Sequence, residues 1–419
     1  MSIIDSGKNE FKSPRRSPIK EVSILAGWST FAHQFGRYYQ TAEPWQPPRM
    51  KMREWMFIPF GGGLPLRHKS FMSMDSVKSF VSERIPHSCF YSTAYWERPH
   101  EAKMNDKIWR GADLIFDLDG DHLPGVTDKD FPAMLSVIQE QAWSLWNDFL
   151  EPDFGFKKEH LQVTFSGHRG FHLHYRDPTY HHLNSDARRE LVSHIRGEGV
   201  DVSTLMPRYD DPDAKGWAKR IKNGVHGIVE KLDSIHAGDK AELKSLTAAL
   251  KDMLVRESRK GLRGPASVEK VAGLLQDSGR RKRVLDGRFA SLGDSAMLFQ
   301  NLIKADSSVI LGNAGETDEV VTIDVRRQIR WPSSLHGKCG MRVTEFPLSR
   351  LDPDGSNPFD CLSEGIALSR EGSHKIEMIV DDAIARFDDR VIDASTGDII
   401  DIHTAGATFL VLKGWGRLV

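Results

Sequence analysis

Cysteine is scarce in this sequence: Cys89, Cys339 and Cys361 are the only three among 419 residues, and no two of them stand as a CxxC pair. That excludes a disulfide framework and a cysteine-built zinc site, and it fits a reduced, intracellular compartment. Long apolar runs are lacking as well. No stretch approaches the ~20 residues that a membrane span needs. The polar run Met1 to Lys20 carries Lys8, Lys12, Arg15, Arg16 and Lys20 with no apolar segment behind it, so it reads as a polar tail rather than a secretory leader. Charge of one sign is missing too: the formal net charge is -1 and the pI is near 7.0. A whole-surface grip on nucleic acid is therefore excluded, and any basic surface is local.

What is present is the composition of a soluble globular chain, 39% hydrophobic and 27% charged, without repeats or low-complexity tracts. The length exceeds one ordinary compact domain and calls for a core plus an appendage or insertion. Short aromatic-rich runs, Glu54 to Phe60 and Cys89 to Tyr95, are bounded by Gly61-Gly62-Gly63 and Pro99 as strands are. Ala112 to Asp119 is the clearest strand. Leu135, Ile138, Ala142, Leu145 and Phe149 then recur at helical spacing after Pro132, and Gln162 to Phe165 with Phe171 to Tyr175 reads as a hairpin. Between about Leu183 and Phe299 the pattern is helical and charged, with a basic surplus over 251–290 that includes Arg280-Arg281-Lys282-Arg283. Such a run usually coats a solvated helix. Strands resume at Val320 to Val325, and Ala405 to Leu412 reads as a closing helix. The expected organisation is a polar tail over 1–20, a core made of 21–182 and 300–419, and an inserted helical subdomain over 183–299.

Three constellations carry chemistry. In Leu114-Ile115-Phe116-Asp117-Leu118-Asp119, strand alternation sets Asp117 and Asp119 on one face, about 7 Å apart along the strand. Paired carboxylates suit a hard divalent cation that is also held by substrate phosphates, although a DxD alone equally fits a solvent-facing acidic edge. Asp121 and His122 fall in the loop that follows. In Ser166-Gly167-His168-Arg169-Gly170-Phe171-His172, the glycines let backbone approach a ligand while Ser166, Arg169 and His172 supply donors for phosphate oxygens. His174, on the same strand face as His172, reads equally well as a structural histidine. In the third, Asp324 is followed by Arg326, Arg327 and Arg330 and then by Ser334-Leu335-His336-Gly337-Lys338. Asp324 reads either as a paired surface carboxylate or as a third metal ligand, with Arg330, His336 and Lys338 neutralising a triphosphate. Three aspartates around two metals would suit an in-line phosphoryl displacement that needs no covalent nucleophile.

Taken in this order, Asp117-x-Asp119, Ser166 to His172, and Asp324 with Ser334 to Lys338 resemble the small catalytic subunit of archaeal and eukaryotic primases. Arg53-Glu54-Trp55, Arg67 to Phe71, Tyr91 to Pro99 and the closing Ala405 to Leu412 also resemble that family, so the likeness spans most of Arg53 to Arg350 plus the C-terminus. The resemblance implies an α/β (α+β) fold: a catalytic core with an RNA-recognition-like sheet, a second α/β unit and an inserted helical region. It implies that Asp117, Asp119 and Asp324 hold Mg2+ or Mn2+. By the same carry-over, Ser166, Arg169, His172, Arg330, His336 and Lys338 bind the incoming nucleotide, and Arg53 and Arg67 lie near the site. The implied partners are a large primase subunit bearing an iron-sulfur cluster, a single-stranded DNA template and nucleoside triphosphates, in the cytoplasm and at the nucleoid. The chain departs from many archaeal members in one respect. Asp121 to Gln162 has no cysteine where a zinc knuckle would stand, leaving His122 and His160 as the histidines from which a zinc site would be built.

Two rival readings remain at this level. A primase-polymerase of end joining or lesion bypass shares the DxD and the glycine turn, but Pro332 to Lys338 looks like the replicative motif, and neighbouring genes for a ligase or for a large subunit would separate them. A non-catalytic nucleotide-binding scaffold is disfavoured by the presence of all three aspartates.

Overall fold

A computed structural model of the chain describes residues 31–120, 127–198, 201–206, 212–256, 265–306 and 319–419. The fold is α+β, with antiparallel sheets and a set of helices between them in the sequence. Helix α1 (31–41) leads into β1 (Trp55–Pro59), β2 (Leu66–Lys69), α2 (Met74–Arg84) and β3 (Pro86–Ser92). The ribbon β4 (Ala94–Trp96) and β5 (Trp109–Ala112) follows, then β6 (Leu114–Asp119), α3 (Phe131–Leu145), β7 (Leu161–Phe165) and β8 (Gly170–Tyr175). Helices come next: α4 (Ser185–Ile195), α5 (Val202–Leu205), α6 (Gly216–His236), α7 (Lys240–Arg256), α8 (Pro265–Leu274), α9 (Ser278–Leu285), α10 (Ala296–Ala305) and α11 (Glu319–Ile323). The chain returns through β9 (Gln328–Arg330), β10 (Thr344–Phe346) and α12 (Cys361–Glu364). It ends with β11 (His374–Met378), β12 (Ala383–Phe387), β13 (Arg390–Ala394), β14 (Ile399–Ile402), α13 (Thr404–Leu412) and β15 (Gly416–Leu418).

Two four-stranded antiparallel sheets frame the molecule. The first has the order β2-β1-β3-β9 and the second β10-β7-β8-β6. In the second, β8 lies between β6 and β7 and α3 connects those two, the split β–α–β unit of an RNA-recognition-type sheet, with β10 added outside β7. Helix α3 forms where the apolar spacing predicts. Asp130 caps it by accepting from the Ala133 amide at 3.1 Å, Pro132 sits in its first turn, and Phe131, Met134, Leu135, Ile138, Ala142 and Leu145 are buried. The first sheet is packed by aromatic rings: Trp55 meets Phe57 at 6.2 Å and Trp331 at 5.3 Å. Helix α6 docks on the turn after α3 through Trp217 against Phe149, ring centroids 5.1 Å apart.

The long strands expected over Cys89 to Tyr95 and Ala112 to Asp119 are each broken, at Thr93 and at Asp113. The reason is that these two residues turn the chain from one sheet into the next. Thr93 accepts from the Asp113 amide at 2.9 Å and donates through its own amide to Arg327 at 2.9 Å. Beneath this crossing lies a buried charge cluster. Arg53 reaches Asp113 at 2.8 Å, Arg176 reaches the same carboxylate oxygen at 3.1 Å, and Tyr95 donates to the other oxygen. Burial alone would raise the Asp113 pKa, but Arg53 and Arg176 hold it below the usual carboxylate range.

The strand expected at Val320 to Val325 is instead helix α11. Its β-branched residues favour a strand in isolation, but Val321 and Thr322 are buried where α11 packs on β6 and α4, and Arg188 of α4 donates to the Thr322 carbonyl at 3.4 Å. Tertiary packing overrides the local preference here. The 1–20 tail, and the loop placed at Asp121 and His122, lie outside the described residues. Among the described residues no helix is long and apolar enough to cross a membrane.

Candidate active site

The β6–β8 register brings the first two constellations together. Asp117 lies opposite His172 and Asp119 opposite Gly170. The side-chain contacts follow: His172 Nε2 is 3.3 Å from Asp117 Oδ1, and Arg169 Nε is 3.4 Å from Asp119 Oδ1. Both carboxylates keep access to solvent, with 19% of the Asp117 side chain and 43% of the Asp119 side chain exposed. Gly170 is required by this pairing, because a Cβ there would stand 2.1 Å from the Leu118 carbonyl oxygen.

The turn from Ser166 to Gly170 is tied from within and from above. Ser166 Oγ accepts from the Gly170 amide at 3.1 Å and the His168 amide at 3.4 Å, so this hydroxyl shapes the turn. Gly167 has φ +79° and is roofed by the segment after β9, with His336 Cβ and the Met341 carbonyl each 3.1 Å from where its Cβ would be. Cys339 Sγ donates to the Gly167 carbonyl at 2.9 Å, and the His168 and His336 rings stack 4.8 Å apart. The second and third constellations, about 170 residues apart in the chain, thus form one surface.

Arg330 links the two sheets at this point. It ends β9, lies over the Phe90 ring at 4.9 Å, and feels the charges of both Asp117 and Asp119. Burial lowers its pKa to about 10, so it stays a cation at neutral pH. The histidines behave in the opposite way. Burial, reinforced by Arg330, lowers the His172 pKa to about 3 and holds His336 well below its ordinary value. His336 Nδ1 accepts from the Lys338 amide at 3.1 Å, which leaves the proton on Nε2; it offers a neutral N–H donor rather than a charge. Lys338 itself is exposed.

Asp324 follows α11, and its Oδ1 accepts from the Arg326 amide at 2.9 Å. Among the described residues no group of three or more His, Cys, Asp or Glu side chains is gathered tightly enough to hold a metal, so Asp117, Asp119 and Asp324 do not make a preassembled set. The donor chemistry of the β6 pair nonetheless fits Mg2+ or Mn2+. These ions take one or two carboxylates and complete their shell from waters and substrate phosphates. His160, the described histidine of the zinc question, lies 3.8 Å from Asp177.

Arg53 and Arg67 are not brought to this site. Arg53 is fully buried in the Asp113 cluster and also donates to the Ser92 and Thr93 carbonyls at 2.9 and 2.7 Å. Arg67 is exposed on β2, at the opposite edge of the first sheet from β9, roughly 14 Å away at three strand spacings. One basic residue the sequence did not single out does reach the turn: Lys413, directly after α13, interacts electrostatically with Arg169 and Lys338. A lysine at the end of an apolar helix has the pattern of an ordinary C-terminal cation, so no sequence signal marked it.

Comparison with known proteins shows the family. The family model "DNA primase small subunit" matches residues 116–347, the span from β6 to just past β10. The DNA primase small subunit PriS of Methanothrix thermoacetophila is 31% identical over 92% of this chain and 97% of its own length. PriS of Methanocella arvoryzae is 34% identical over 78% of this chain and 84% of its own, and PriS of Halobacterium salinarum 33% over 80% and 83%. Such likeness, with the first of these relatives matched over nearly the whole length of both chains, places this chain in the DNA primase small subunit family.

Proposed function

We propose that this chain is the catalytic subunit of a DNA primase, a nucleotidyltransferase (EC 2.7.7.-) that makes short primers on a single-stranded DNA template for replication. The observation that carries the reading is the meeting of Asp117 and Asp119 with the Ser166–Gly170 turn on one side and Arg330 on the other. Carboxylates for a cation and cations for a polyanion at one place are what metal-assisted transfer from a triphosphate requires.

In this reading Asp117 and Asp119 hold Mg2+ or Mn2+ and Asp324 is the third carboxylate, in a two-metal site. When bound, the metal supplies activation of the attacking 3'-hydroxyl and neutralisation of charge on the leaving pyrophosphate. The chain's own residues do the rest. Arg169, Arg330 and Lys338 bind phosphate oxygens, and the neutral Nε2–H of His336 donates a further hydrogen bond without adding charge. His172 orients the Asp117 carboxylate, and Ser166 keeps the turn in the shape that presents Arg169. The core is formed by 21–182 and 300–419, with 183–299 as an insertion. A large subunit carrying an iron-sulfur cluster supplies much of the template grip, since this chain's balanced charge gives it little. The protein works in the cytoplasm, at the nucleoid.

The test is direct: purified chain, unprimed single-stranded DNA, labelled nucleoside triphosphates, and Mg2+ or Mn2+. New labelled strands are expected. No incorporation with either metal, even on a primed template with the partner added, overturns the reading.

A further inference from the structure

The C-terminal helix delivers a cation to the phosphate turn. Helix α13 packs on the segment after β9: Thr408 and Leu412 lie 2.9 and 3.8 Å from where a Cβ on Gly340 would stand. This fixes Lys413 beside the turn. Its Nζ lies 4.8 Å from the Phe131 ring centroid and 4.7 Å from that of Trp415, an aromatic corner completed by Phe409 at 5.0 and 5.9 Å from those rings. Phe131 also faces His168, centroids 5.8 Å apart, so one ring serves as the floor for both the lysine and the buried imidazole.

Around His168 four cations converge. Lys413, Arg169, Lys338 and Arg330 all act on this one ring, whose Nε2 is buried without a hydrogen-bond partner among the described residues. Lys413 makes no ion pair or hydrogen bond through its ammonium among the described residues. Burial lowers its pKa to about 8, and the like charges of Arg169 and Lys338 add to the drop. A half-buried ammonium held among like charges without a bonded anion is costly unless a polyanion binds there. The cations also divide by place. Arg330 is acted on by Cys339, Asp117 and Asp119, whereas the groups that act most on Lys413 are Cys339, Arg169, Asp128 and Lys338.

We propose that Lys413 is a fourth cation of the triphosphate site and binds the terminal phosphate, reaching the glycine turn from the Phe131–His168 side. This rests on the nucleotide-site reading above. The aromatic corner positions the ammonium and bars water from one side, and the pyrophosphate-forming end of the nucleotide supplies the missing anion.

The experiment compares wild type with Lys413→Gln and Lys413→Arg, which keep the stem over Phe131. Steady-state incorporation on a primed template gives KM for the nucleotide and kcat. Direct binding of adenosine tri- and diphosphate gives the phosphate dependence. Lys413→Gln is expected to raise KM and the triphosphate Kd roughly tenfold, the scale of one charge-assisted contact, with much smaller changes in kcat and in diphosphate Kd. Lys413→Arg should recover most of the loss. An active Lys413→Gln protein with wild-type affinity and a wild-type ratio of tri- to diphosphate binding overturns the assignment while leaving the site reading intact. Wild type that neither binds nor incorporates nucleotide overturns both.

Discussion

Two charged regions lie between the same two sheets, and they are built on opposite principles. In the Arg53–Asp113–Arg176 cluster every charge has a bonded counter-charge, and Tyr95 and backbone carbonyls satisfy what is left. At the candidate site the carboxylates remain open to solvent, Lys338 is exposed, the His172 Nδ1 and His168 Nε2 atoms lack partners among the described residues, and the buried histidines are neutral. The first region is closed and holds the sheets together. The second keeps donors and acceptors for a ligand. Burial of charge by itself distinguishes nothing; what distinguishes the two is that the first cluster is sealed from solvent, whereas the carboxylates of the second stay open to it.

The largest effect expected of a single substitution breaks the closed region. Asp113→Asn leaves Arg53 and Arg176 buried beside a neutral side chain, and should destabilise folding by about 3–5 kcal/mol in denaturant melts. A loss below ~1 kcal/mol would mean that the cluster is not the closed unit described.

Acid should act on several buried groups at once. His168, His172, His174 and His336 are all held neutral by burial, His172 with a pKa of about 3 against the ordinary 6.5. Below pH 6.5 the unfolded chain takes up protons that the folded chain refuses. The stability is therefore present above 6.5 and drains away as pH falls toward the folded values, by up to about 1.4 kcal/mol per pH unit for each histidine. Thermal melts between pH 7.5 and 5 should show a steep decline. A flat profile would mean the rings charge in the folded state, and the site would then hold extra cations.

A smaller effect is expected at the open region. If Arg169 binds the triphosphate as proposed, Arg169→Ala should lower kcat/KM roughly 10- to 100-fold with the melting temperature little changed. Metal binding without nucleotide should persist, and its loss would assign Arg169 to holding the carboxylates instead. The weakest signal concerns the template. The isolated chain should bind single-stranded DNA weakly and release it as salt rises, and tight, salt-resistant binding would contradict its balanced charge.

What was legible in the sequence was what is local. The β6 strand, helix α3 and the β7–β8 hairpin are set by apolar period and glycine placement within some sixty residues, whereas the β6–β8 register that sets Asp117 opposite His172 is seen only in the fold. Contacts between distant segments were not legible. Arg53 stands in a motif that suggested the site, yet its partner Asp113 waits at a strand break that periodicity does not mark. The segment around Val321 has the composition of a strand and becomes a helix because β6, α4 and Arg188 receive it. Arg330 belongs to one sheet and faces carboxylates of the other, and Lys413 is set by the docking of α13 on Gly340. Neither relation is written in spacing along the chain.

The central claim is that Asp117 and Asp119 form the open, metal-binding heart of the site, and one paired measurement tests it. Asp117→Asn nearly preserves side-chain volume while removing one of two neighbouring carboxylate charges, so folding should survive and the melting temperature should hold or rise. Steady-state incorporation on a primed template, with Mg2+ and with Mn2+, should fall to background in the same preparation. A well-folded Asp117→Asn protein with near wild-type incorporation would remove Asp117 from the metal site and contradict the account.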